Sequence, residues 1–188
     1  MAQTVYYTAA TLDGFIADEA DSLDWLLDKR MDAGGPMDYD AFYATVGALC
    51  MGATTYEWIR GHPDAVGASW PYDKPTWVFT HRDLAPVTDA EIHVAAGDVQ
   101  QVHAEMTRAA AGQDIWVVGG GGLAAQFADA GLLDRVLVSV APVTLGSGRP
   151  VLPGRFTLTL TDVARNADFA CLSYDVGDPK SISEQPGS

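Results

Sequence analysis

Four consecutive glycines, Gly119–Gly122, stand between an apolar stretch and a helical pattern. Glycine lets a phosphate approach the backbone closely, and the N-terminus of a following helix offers free N–H groups and the positive end of its dipole. The spacing Gly119-x-Gly121-x-x-Ala124 also fits the dinucleotide fingerprint formally. A Rossmann site needs an acid about 20 residues further on, and the next predicted strand, Val136–Ala141, ends without one. We therefore favour a phosphate loop of another kind, with close backbone packing as the alternative.

A second glycine precedes hydroxyl residues at the start of another helical pattern. Gly52, Ala53, Thr54 and Thr55 follow the apolar run Ala48–Met51. Threonine at this place is either a helix cap or a second contact to phosphate. The sequence leaves both interpretations open.

A third segment carries three donors in succession at a predicted strand end: Thr80, His81 and Arg82. Open α/β sheets bind ligands at the carboxyl ends of their strands, and three donors there suit an anion. An arginine that is merely exposed is the alternative. Together with the two glycine-containing segments, this strand end predicts one extended, phosphate-rich ligand.

Carboxylates are concentrated in one early part of the chain. The sequence has 25 acids and 11 bases, a net charge of −14, and nine of the acids lie between Asp13 and Asp40. They form either a solvated face or the negative rim of a cleft, where a dianionic sugar phosphate fits poorly unless Lys29, Arg30 or Arg149 points inward. The net charge argues against nucleic acid and anionic membranes as partners, since both need a basic surface.

The two cysteines, Cys50 and Cys171, lie in apolar contexts, which favours buried reduced thiols over a disulfide or redox pair. No apolar run reaches the length of a membrane span, and the N-terminus lacks the basic region of a signal peptide. No zinc motif of the H-x-E…C-x-x-C kind occurs, so neither a metal site nor a deaminase activity is expected. We expect a soluble, cytoplasmic protein that binds a small-molecule substrate.

The elements that must position these residues alternate along the chain. Strands are predicted at Thr4–Ala10, Ala48–Met51, Thr76–Thr80, Ile92–Ala95, Ile115–Val118, Val136–Ala141, Phe156–Val163 and Phe169–Val176. Helices are predicted around Met37–Val46, over Thr54–Arg60, from Val99 behind the cap Asp98, and from the glycine run to Gly131. Strand–helix alternation indicates a largely parallel, covered sheet.

The last two predicted strands form an antiparallel hairpin. The first of them alternates apolar and polar residues, which predicts one buried face. We expect a single domain over residues 1–177 and a disordered tail over residues 178–188.

Several of these segments resemble motifs of the dihydrofolate reductase superfamily, and more closely its branch with the reductase domain of the riboflavin pathway. Thr11–Ala17 is similar to the first-strand motif S/T-x-D-G-x-I-A, and Met51–Glu57 to M-G-R-x-T-W-E. Val117–Leu123 resembles the glycine run, and Pro142–Pro150 the P-x-x-L-G-x-G-x-P loop. Each motif is modest, but four in this order are specific, and the resemblance spans Thr4–Val176.

The resemblance implies a three-layer α/β fold of the dihydrofolate reductase type, with a mixed, mostly parallel central sheet of about eight strands and a C-terminal antiparallel hairpin. It also implies NADPH as the cofactor, across the strand ends, and a non-proline cis peptide bond between Gly119 and Gly120. By position, the nicotinamide would lie near Ala9, Ala10 and Ile16. The phosphates and adenosine would contact Gly52, Ala53, Thr54 and Thr55. The adenosine 2′-phosphate would contact Thr80, His81 and Arg82. The pyrophosphate would contact Gly119, Gly120, Gly121, Gly122 and Leu123.

The resemblance also suggests a reaction. Dihydrofolate reductases place one buried acid near the pterin, and the candidates here are Asp38, Asp40 and Asp13, the last of which is alternatively a turn residue. In the family, a basic residue often follows the glycine that corresponds to Gly52, whereas this chain has Ala53 there. We therefore expect a modest preference for NADPH that rests on Arg82. The expected activity is hydride transfer to a C=N or C=O bond of a small heterocycle, pterin- or dihydrofolate-like or pyrimidine-like.

Two alternatives to this activity stay open. One is the riboflavin-biosynthesis 5-amino-6-(5-phosphoribosylamino)uracil reductase step, and the other is a nicotinamide-nucleotide-binding module without catalysis. Relatives often dimerise, so a homodimer is expected.

Overall fold

The structure is a computed structural model that describes residues 2–63 and 70–177. Its strands are β1 (Thr4–Thr11), β2 (Phe15–Ala17), β3 (Val46–Gly52), β4 (Thr76–Phe79), β5 (Ile92–Ala95), β6 (Asp114–Gly119), β7 (Arg135–Ala141), β8 (Arg149–Pro150), β9 (Leu158–Asn166) and β10 (Phe169–Val176). Its helices are α1 (Asp24–Leu27), α2 (Tyr39–Tyr43), α3 (Ala53–Gly61), α4 (Val99–Ala109) and α5 (Gly121–Asp129).

Eight strands form one sheet in the order β5-β4-β3-β6-β1-β7-β10-β9. β1 lies between β6 and β7 and pairs in parallel with both, and parallel pairing continues from β6 through β3 and β4 to β5. β10 runs antiparallel to β7 and to β9. The predicted mixed, mostly parallel sheet with a C-terminal antiparallel hairpin is therefore confirmed. Because parallel strands end at one edge, β1, β3, β4 and β6 bring their carboxyl ends together.

Both faces of the sheet are covered. β3 is buried at every position except its last, as expected of a strand inside a parallel sheet. Cys50 packs with Met106 of α4 and Phe127 of α5, whereas the next residue, Met51, packs with Tyr56 of α3. Successive side chains of a strand point to opposite faces, so the two clusters lie on the two sides of the sheet. The three-layer arrangement is confirmed.

The ends of the longer helices follow the predicted signals. Asp98 caps α4, since its side chain accepts a hydrogen bond of 2.8 Å from the N–H of Gln100. Gly131 follows the end of α5 with φ +68°, the left-handed conformation that favours glycine after a helix. These two helices support the sheet on the face that carries Cys50.

A small second sheet and the short helix α1 were not predicted. β2 and β8 pair antiparallel, with Phe15 opposite Pro150 and Ala17 opposite Arg149. Strands of two or three residues show no periodicity, and a single helical turn shows little more. We call β2, β8 and the turn Asp18–Ser22 the β2–β8 arm, and it forms one side of the site described below.

The prediction of one buried face for the first hairpin strand is wrong. β9 begins at Leu158, and its residues Leu160 and Val163 are 52% and 60% exposed. β9 is the last strand of the sheet, and its register against β10 shifts between Ser173 and Tyr174. Leu160 pairs with Tyr174 and Val163 with Leu172, two positions apart on β10, so both side chains lie on one face of this edge strand, and that face is exposed.

Both cysteines are buried and free of disulfide bonds, as predicted. None of the helices in the described part of the chain is long and apolar enough to cross a bilayer. The predicted disordered tail over residues 178–188 lies outside the described residues, and the extent of the domain over residues 1–177 stays a prediction.

Candidate active site

A cleft of about 650 Å³ opens at the carboxyl edge of the sheet. Its walls come from the ends of β1, β3, β4 and β6, from the first turns of α3 and α5, and from the β2–β8 arm. Small-molecule and cofactor sites have volumes of this order, and in open α/β sheets they lie at this edge. The cleft is therefore the candidate active site.

Two helix N-termini border the cleft. α5 begins at Gly121 with Gly120 as its N-cap, and α3 begins at Ala53 with Gly52 as its N-cap. Neither N-cap has a side chain to accept a hydrogen bond, so the interpretation of a threonine as the cap of α3 is wrong. N–H groups at the start of an uncapped helix and the positive end of its dipole favour an anion.

The predicted glycines do not all have the same surroundings. The peptide bond between Gly119 and Gly120 is cis, as the resemblance implies. A Cβ on Gly121 would lie 2.2 Å from the carbonyl oxygen of Pro150 and 2.5 Å from that of Val151, so this glycine is required for packing. A Cβ on Gly52 or Gly122 would meet no protein atom within 4 Å, although both residues line the cleft.

The wall expected to face a nicotinamide is formed in part. Ala9 and Ile16 line the cleft, and so does Thr8, whose hydroxyl donates to the carbonyl of Ala9 at 3.2 Å. Ala10 does not line it, because this residue is 2% exposed and belongs to the core cluster against which Ile16 packs. Leu123 completes the apolar lining from the side of α5.

The donors predicted at the end of β4 lie outside the cleft lining, which at this strand ends with Phe79. His81 and Arg82 are exposed, and Thr80 accepts a hydrogen bond of 2.9 Å from the N–H of Arg82. The Arg82 guanidinium donates to the Glu57 carboxylate at 3.3 Å. This strand end therefore carries a cation that is already paired with an acid of α3.

The three predicted acids also lie outside the cleft lining, and two of them have structural partners. Asp13 accepts hydrogen bonds from the hydroxyl of Thr11 at 2.6 Å and from the N–H of Gly146 at 2.7 Å. These bonds hold the pKa of Asp13 below its ordinary value, as expected of a carboxylate that acts as an acceptor. Asp13 thus connects the turn after β1 to the loop between β7 and β8.

The other two acids belong to α2. Asp38 is its N-cap and accepts from the N–H of Gly34 at 2.8 Å and of Ala41 at 2.9 Å, which lowers the pKa of its carboxyl group. Asp40 is exposed in the first turn of the helix. Neither side chain reaches the cleft, so the structure does not bring the three acids together with the predicted cofactor residues.

Among the described residues, the charged ones that line the cleft are Asp21 and Arg149. Arg149 donates from Nε to Asp21 Oδ1 at 2.6 Å and from Nη2 to Asp21 Oδ2 at 3.1 Å. This pair raises the pKa of the Arg149 guanidinium above its ordinary value. Local sequence pattern does not predict this pair, because its two members are 128 positions apart and meet through the short β2–β8 pairing.

Trp58 and Gln126 also line the cleft and were missed. Helical spacing offers the signal that could have found them, since residues four apart lie on one face. Trp58 follows Thr54 by four positions on α3, and Gln126 follows Gly122 by four on α5. The side-chain amide of Gln126 donates to the carbonyl of Gly122 at 3.4 Å.

Two solved structures are similar to this chain in fold. A putative riboflavin biosynthesis protein from Shewanella sp. PV-4 superposes with a TM-score of 0.77 at 23% identity, over 94% of this chain and 99% of that one. A dihydrofolate reductase from Enterococcus faecalis, complexed with NADP(H), gives a TM-score of 0.59 at 16% identity, over 94% and 97% of the two chains. The predicted dihydrofolate-reductase-like fold is confirmed.

Sequence comparison extends this similarity to the family. Protein YwjB of Bacillus subtilis, itself uncharacterized, is 34% identical over 151 residues, which are 79% of this chain and 82% of the relative. The family model of the RibD C-terminal domain matches residues 64–168, more than half of the chain. Because this model covers more than half of the chain, the chain belongs to the RibD C-terminal domain family.

Proposed function

We propose that this chain is an NADPH-dependent reductase that transfers hydride to a C=N or C=O bond of a small planar heterocycle. The observation that carries the proposal is the cleft itself, in which two helix N-termini without side-chain caps stand beside an apolar wall. A nicotinamide dinucleotide matches both features of the cleft, because its anionic phosphates suit the helix N-termini and its planar nicotinamide ring suits the apolar wall. Membership of the RibD C-terminal domain family supports the assignment.

The residues present fit such a cofactor. The open space beside Gly52 and Gly122 leaves room for phosphate against the backbone, and a side chain at either position would fill it. The nicotinamide would lie beside Ala9 and Ile16, away from the exposed end of β4. Arg82 would contact an adenosine 2′-phosphate only after leaving Glu57.

The bound cofactor supplies the hydride, and reduction of C=N or C=O then needs one proton from another source. Among the described residues that line the cleft the one carboxylate is Asp21, and it is engaged by Arg149. Asp13 and Asp38 accept backbone hydrogen bonds and have lowered pKa values, so they are poor proton donors at neutral pH. We therefore propose that a water molecule donates the proton. The chain orients the nicotinamide and the substrate ring and restricts the access of solvent.

A fluorescence titration tests the proposal. NADPH added to the protein should give saturable binding at one site, with increased nicotinamide emission as the ring enters the apolar cleft. Addition of pterin and pyrimidine compounds should then oxidise the bound cofactor. Absence of saturable binding of either NADPH or NADH would overturn the proposal, whereas binding without oxidation by any compound would favour the nucleotide-binding module.

A further inference from the structure

β1 carries hydroxyl groups at three alternate positions, Thr4, Tyr6 and Thr8. Residues two apart on a strand point to the same side of the sheet, and Tyr6 packs on the side that α4 and α5 cover. The Thr4 hydroxyl has a protein partner, since it lies 2.8 Å from Nε2 of His103 on α4. Thr8 lies toward the other end of the strand and lines the cleft. Tyr6 therefore stands between a hydroxyl that is already paired and a residue of the cleft wall.

The hydroxyl of Tyr6 has no hydrogen-bond partner among the described residues, although the residue is 0% exposed. Burial raises the pKa of this phenol above its ordinary value, so the group keeps its proton at neutral pH and can act as a donor. The Thr8 hydroxyl is close enough to oppose that rise in pKa, but its own hydrogen bond goes to the carbonyl of Ala9, at 3.2 Å. A buried donor without a partner is costly, so a state in which Tyr6 gains an acceptor is favoured.

The sheet opens beside Thr8. The pairing of β1 with β6 ends at Tyr6, whereas its pairing with β7 continues to Thr11. β1 and β6 therefore separate beyond Tyr6, and both strands line the cleft there, with Thr8 and Ala9 from β1 and Val118 from β6. A nicotinamide ring beside Ala9 would occupy this opening and lie next to Thr8.

The Thr8 hydroxyl can serve Tyr6 and a bound ring at the same time. A threonine hydroxyl donates one hydrogen bond and accepts up to two. The carboxamide of a nicotinamide presents a carbonyl oxygen that can accept from Thr8 in place of the Ala9 carbonyl. The Thr8 oxygen can then accept from Tyr6, and each hydrogen bond in such a chain polarises and strengthens the next.

We propose that Tyr6 is a positioning residue that acts through Thr8. Its O–H donates to the Thr8 hydroxyl, which donates to the carboxamide carbonyl of the nicotinamide and so fixes the orientation of the ring. This role rests on the proposed reductase function and names the side chains that orient its cofactor. No proton leaves the two hydroxyls, so water remains the proposed proton donor.

Titrations with two ligands test the proposal. Tyr6→Phe removes the hydroxyl and keeps the ring, and it should weaken NADPH binding about fivefold, the effect of one hydrogen bond between uncharged groups. Binding of 2′-phospho-ADP-ribose, which is the cofactor without its nicotinamide, should be the same in Tyr6→Phe and in the wild type. A loss confined to the ligand that carries the ring is not expected from general damage to the cleft.

Variants of Thr8 test whether Tyr6 acts through it. Thr8→Val should weaken NADPH binding at least as much as Tyr6→Phe does. The double variant Tyr6→Phe/Thr8→Val should bind NADPH no more weakly than Thr8→Val alone, because the effects of two residues in one hydrogen-bond chain are not additive. Thr8→Ser keeps the hydroxyl and should bind NADPH as the wild type does.

Urea unfolding of the cofactor-free protein gives a readout that needs no NADPH. Tyr6→Phe should leave the urea midpoint unchanged or raise it, because the hydroxyl that it removes has no partner. The matched control is Tyr56→Phe, since Tyr56 is 1% exposed, lies outside the cleft lining and donates from its hydroxyl to the carbonyl of Ala85 at 2.7 Å. Tyr56→Phe should lower the urea midpoint and leave NADPH binding unchanged.

Four results would each overturn the role of Tyr6: a lower urea midpoint in Tyr6→Phe, unchanged NADPH binding in that variant, an equal loss for both ligands, or additive losses in the double variant. Each is measured against a wild type that binds NADPH, so each leaves the proposed reductase in place. A wild-type protein that binds neither NADPH nor NADH would instead remove the reductase, and the role of Tyr6 with it.

Discussion

At the scale of single residues, neighbouring glycines of the run perform different tasks. Gly121 lets α5 approach β8, because its Cβ position falls on the backbone of Pro150 and Val151. Gly122 has open space around its Cβ position and lines the cleft. From the glycine string alone, both residues would be expected to contact phosphate. The structure shows that Gly121 is required for packing, whereas Gly122 leaves open space in the cleft.

This separation gives the first prediction. Gly121→Val should destabilise the protein by about 1–3 kcal/mol through overpacking. Gly122→Val should change the free energy of unfolding by less than about 1 kcal/mol while weakening NADPH binding at least about tenfold. Urea unfolding and an NADPH titration measure the two effects.

The matched control is Gly61→Val, because Gly61 is also helical with open space at its Cβ position but does not line the cleft. NADPH affinity in Gly61→Val should equal that of the wild type. Unchanged NADPH binding in Gly122→Val would contradict the assignment of the α5 N-terminus to the cofactor.

The second prediction concerns Arg82, whose guanidinium is paired with the Glu57 carboxylate at 3.3 Å. Both side chains are largely exposed, so solvent weakens the pair and it is easily exchanged for a 2′-phosphate. Arg82→Ala should weaken NADPH binding about tenfold, the lower end for a charge-assisted contact, and should leave NADH binding nearly unchanged. Glu57→Gln should strengthen NADPH binding. Equal losses of both cofactors in Arg82→Ala would show that this strand end does not bind the 2′-phosphate.

At the scale of elements, the short helix α2 depends on its N-cap. Asp38 accepts two backbone hydrogen bonds at the entry to this helix. Tyr7 of β1 donates from its hydroxyl to the carbonyl of the adjacent Met37 at 2.8 Å. The Asp38 carboxylate therefore has a structural role as the N-cap of α2, and no catalytic role is needed to explain it.

The third prediction follows from the lowered pKa of Asp38. Asp38→Ala should lower Tm by about 2–4 °C at neutral pH and leave kcat unchanged. Because folding lowers the pKa, the stabilisation is complete above the unfolded value of about 4 and is lost as the pH falls through the folded value. The difference in Tm between wild type and variant should shrink in acid.

Asp40→Ala is the control, since Asp40 lies in the same helical turn without an N-cap bond. Thermal scans and kcat are measured for both variants. A large loss of kcat in Asp38→Ala with an unchanged Tm would instead identify Asp38 as the proton donor.

Elements with strong local signals are the ones that the sequence predicts. α4 has an apolar period and the cap Asp98, and the central strands are short apolar runs, so their existence follows from local pattern. The β2–β8 arm has neither signal. Its two strands are joined by pairing over more than 130 positions, and therefore the Asp21–Arg149 pair on the cleft wall could not be read from spacing.

At the scale of the whole molecule, most carboxylates of the acidic segment between Asp13 and Asp40 lie outside the cleft lining. Of the nine carboxylates between Asp13 and Asp40, Asp21 is the one that lines the cleft. The acidic segment therefore fits the solvated-face interpretation better than that of a continuous negative rim.

The homodimer stays a prediction, and the exposed face of β9 is the place where we expect it. Leu160 and Val163 are exposed on an edge strand, whose unpaired backbone groups can pair with a second copy. Sedimentation velocity should give a dimer for the wild type and a monomer for Leu160→Lys, because a buried unpaired charge opposes association. A wild-type protein that sediments as a monomer at every concentration tested would contradict this prediction.

The central claim is hydride transfer from a cofactor bound at the glycine-lined cleft. The most direct measurement is a single-turnover reaction with NADPH deuterated at the transferred position of the nicotinamide ring, followed by mass spectrometry of the heterocycle. The proposal predicts that one deuterium appears in the reduced product and that Gly122→Val slows this transfer. Saturable NADPH binding with no deuterium in any pterin or pyrimidine offered would contradict the claim that this chain is a reductase of such rings.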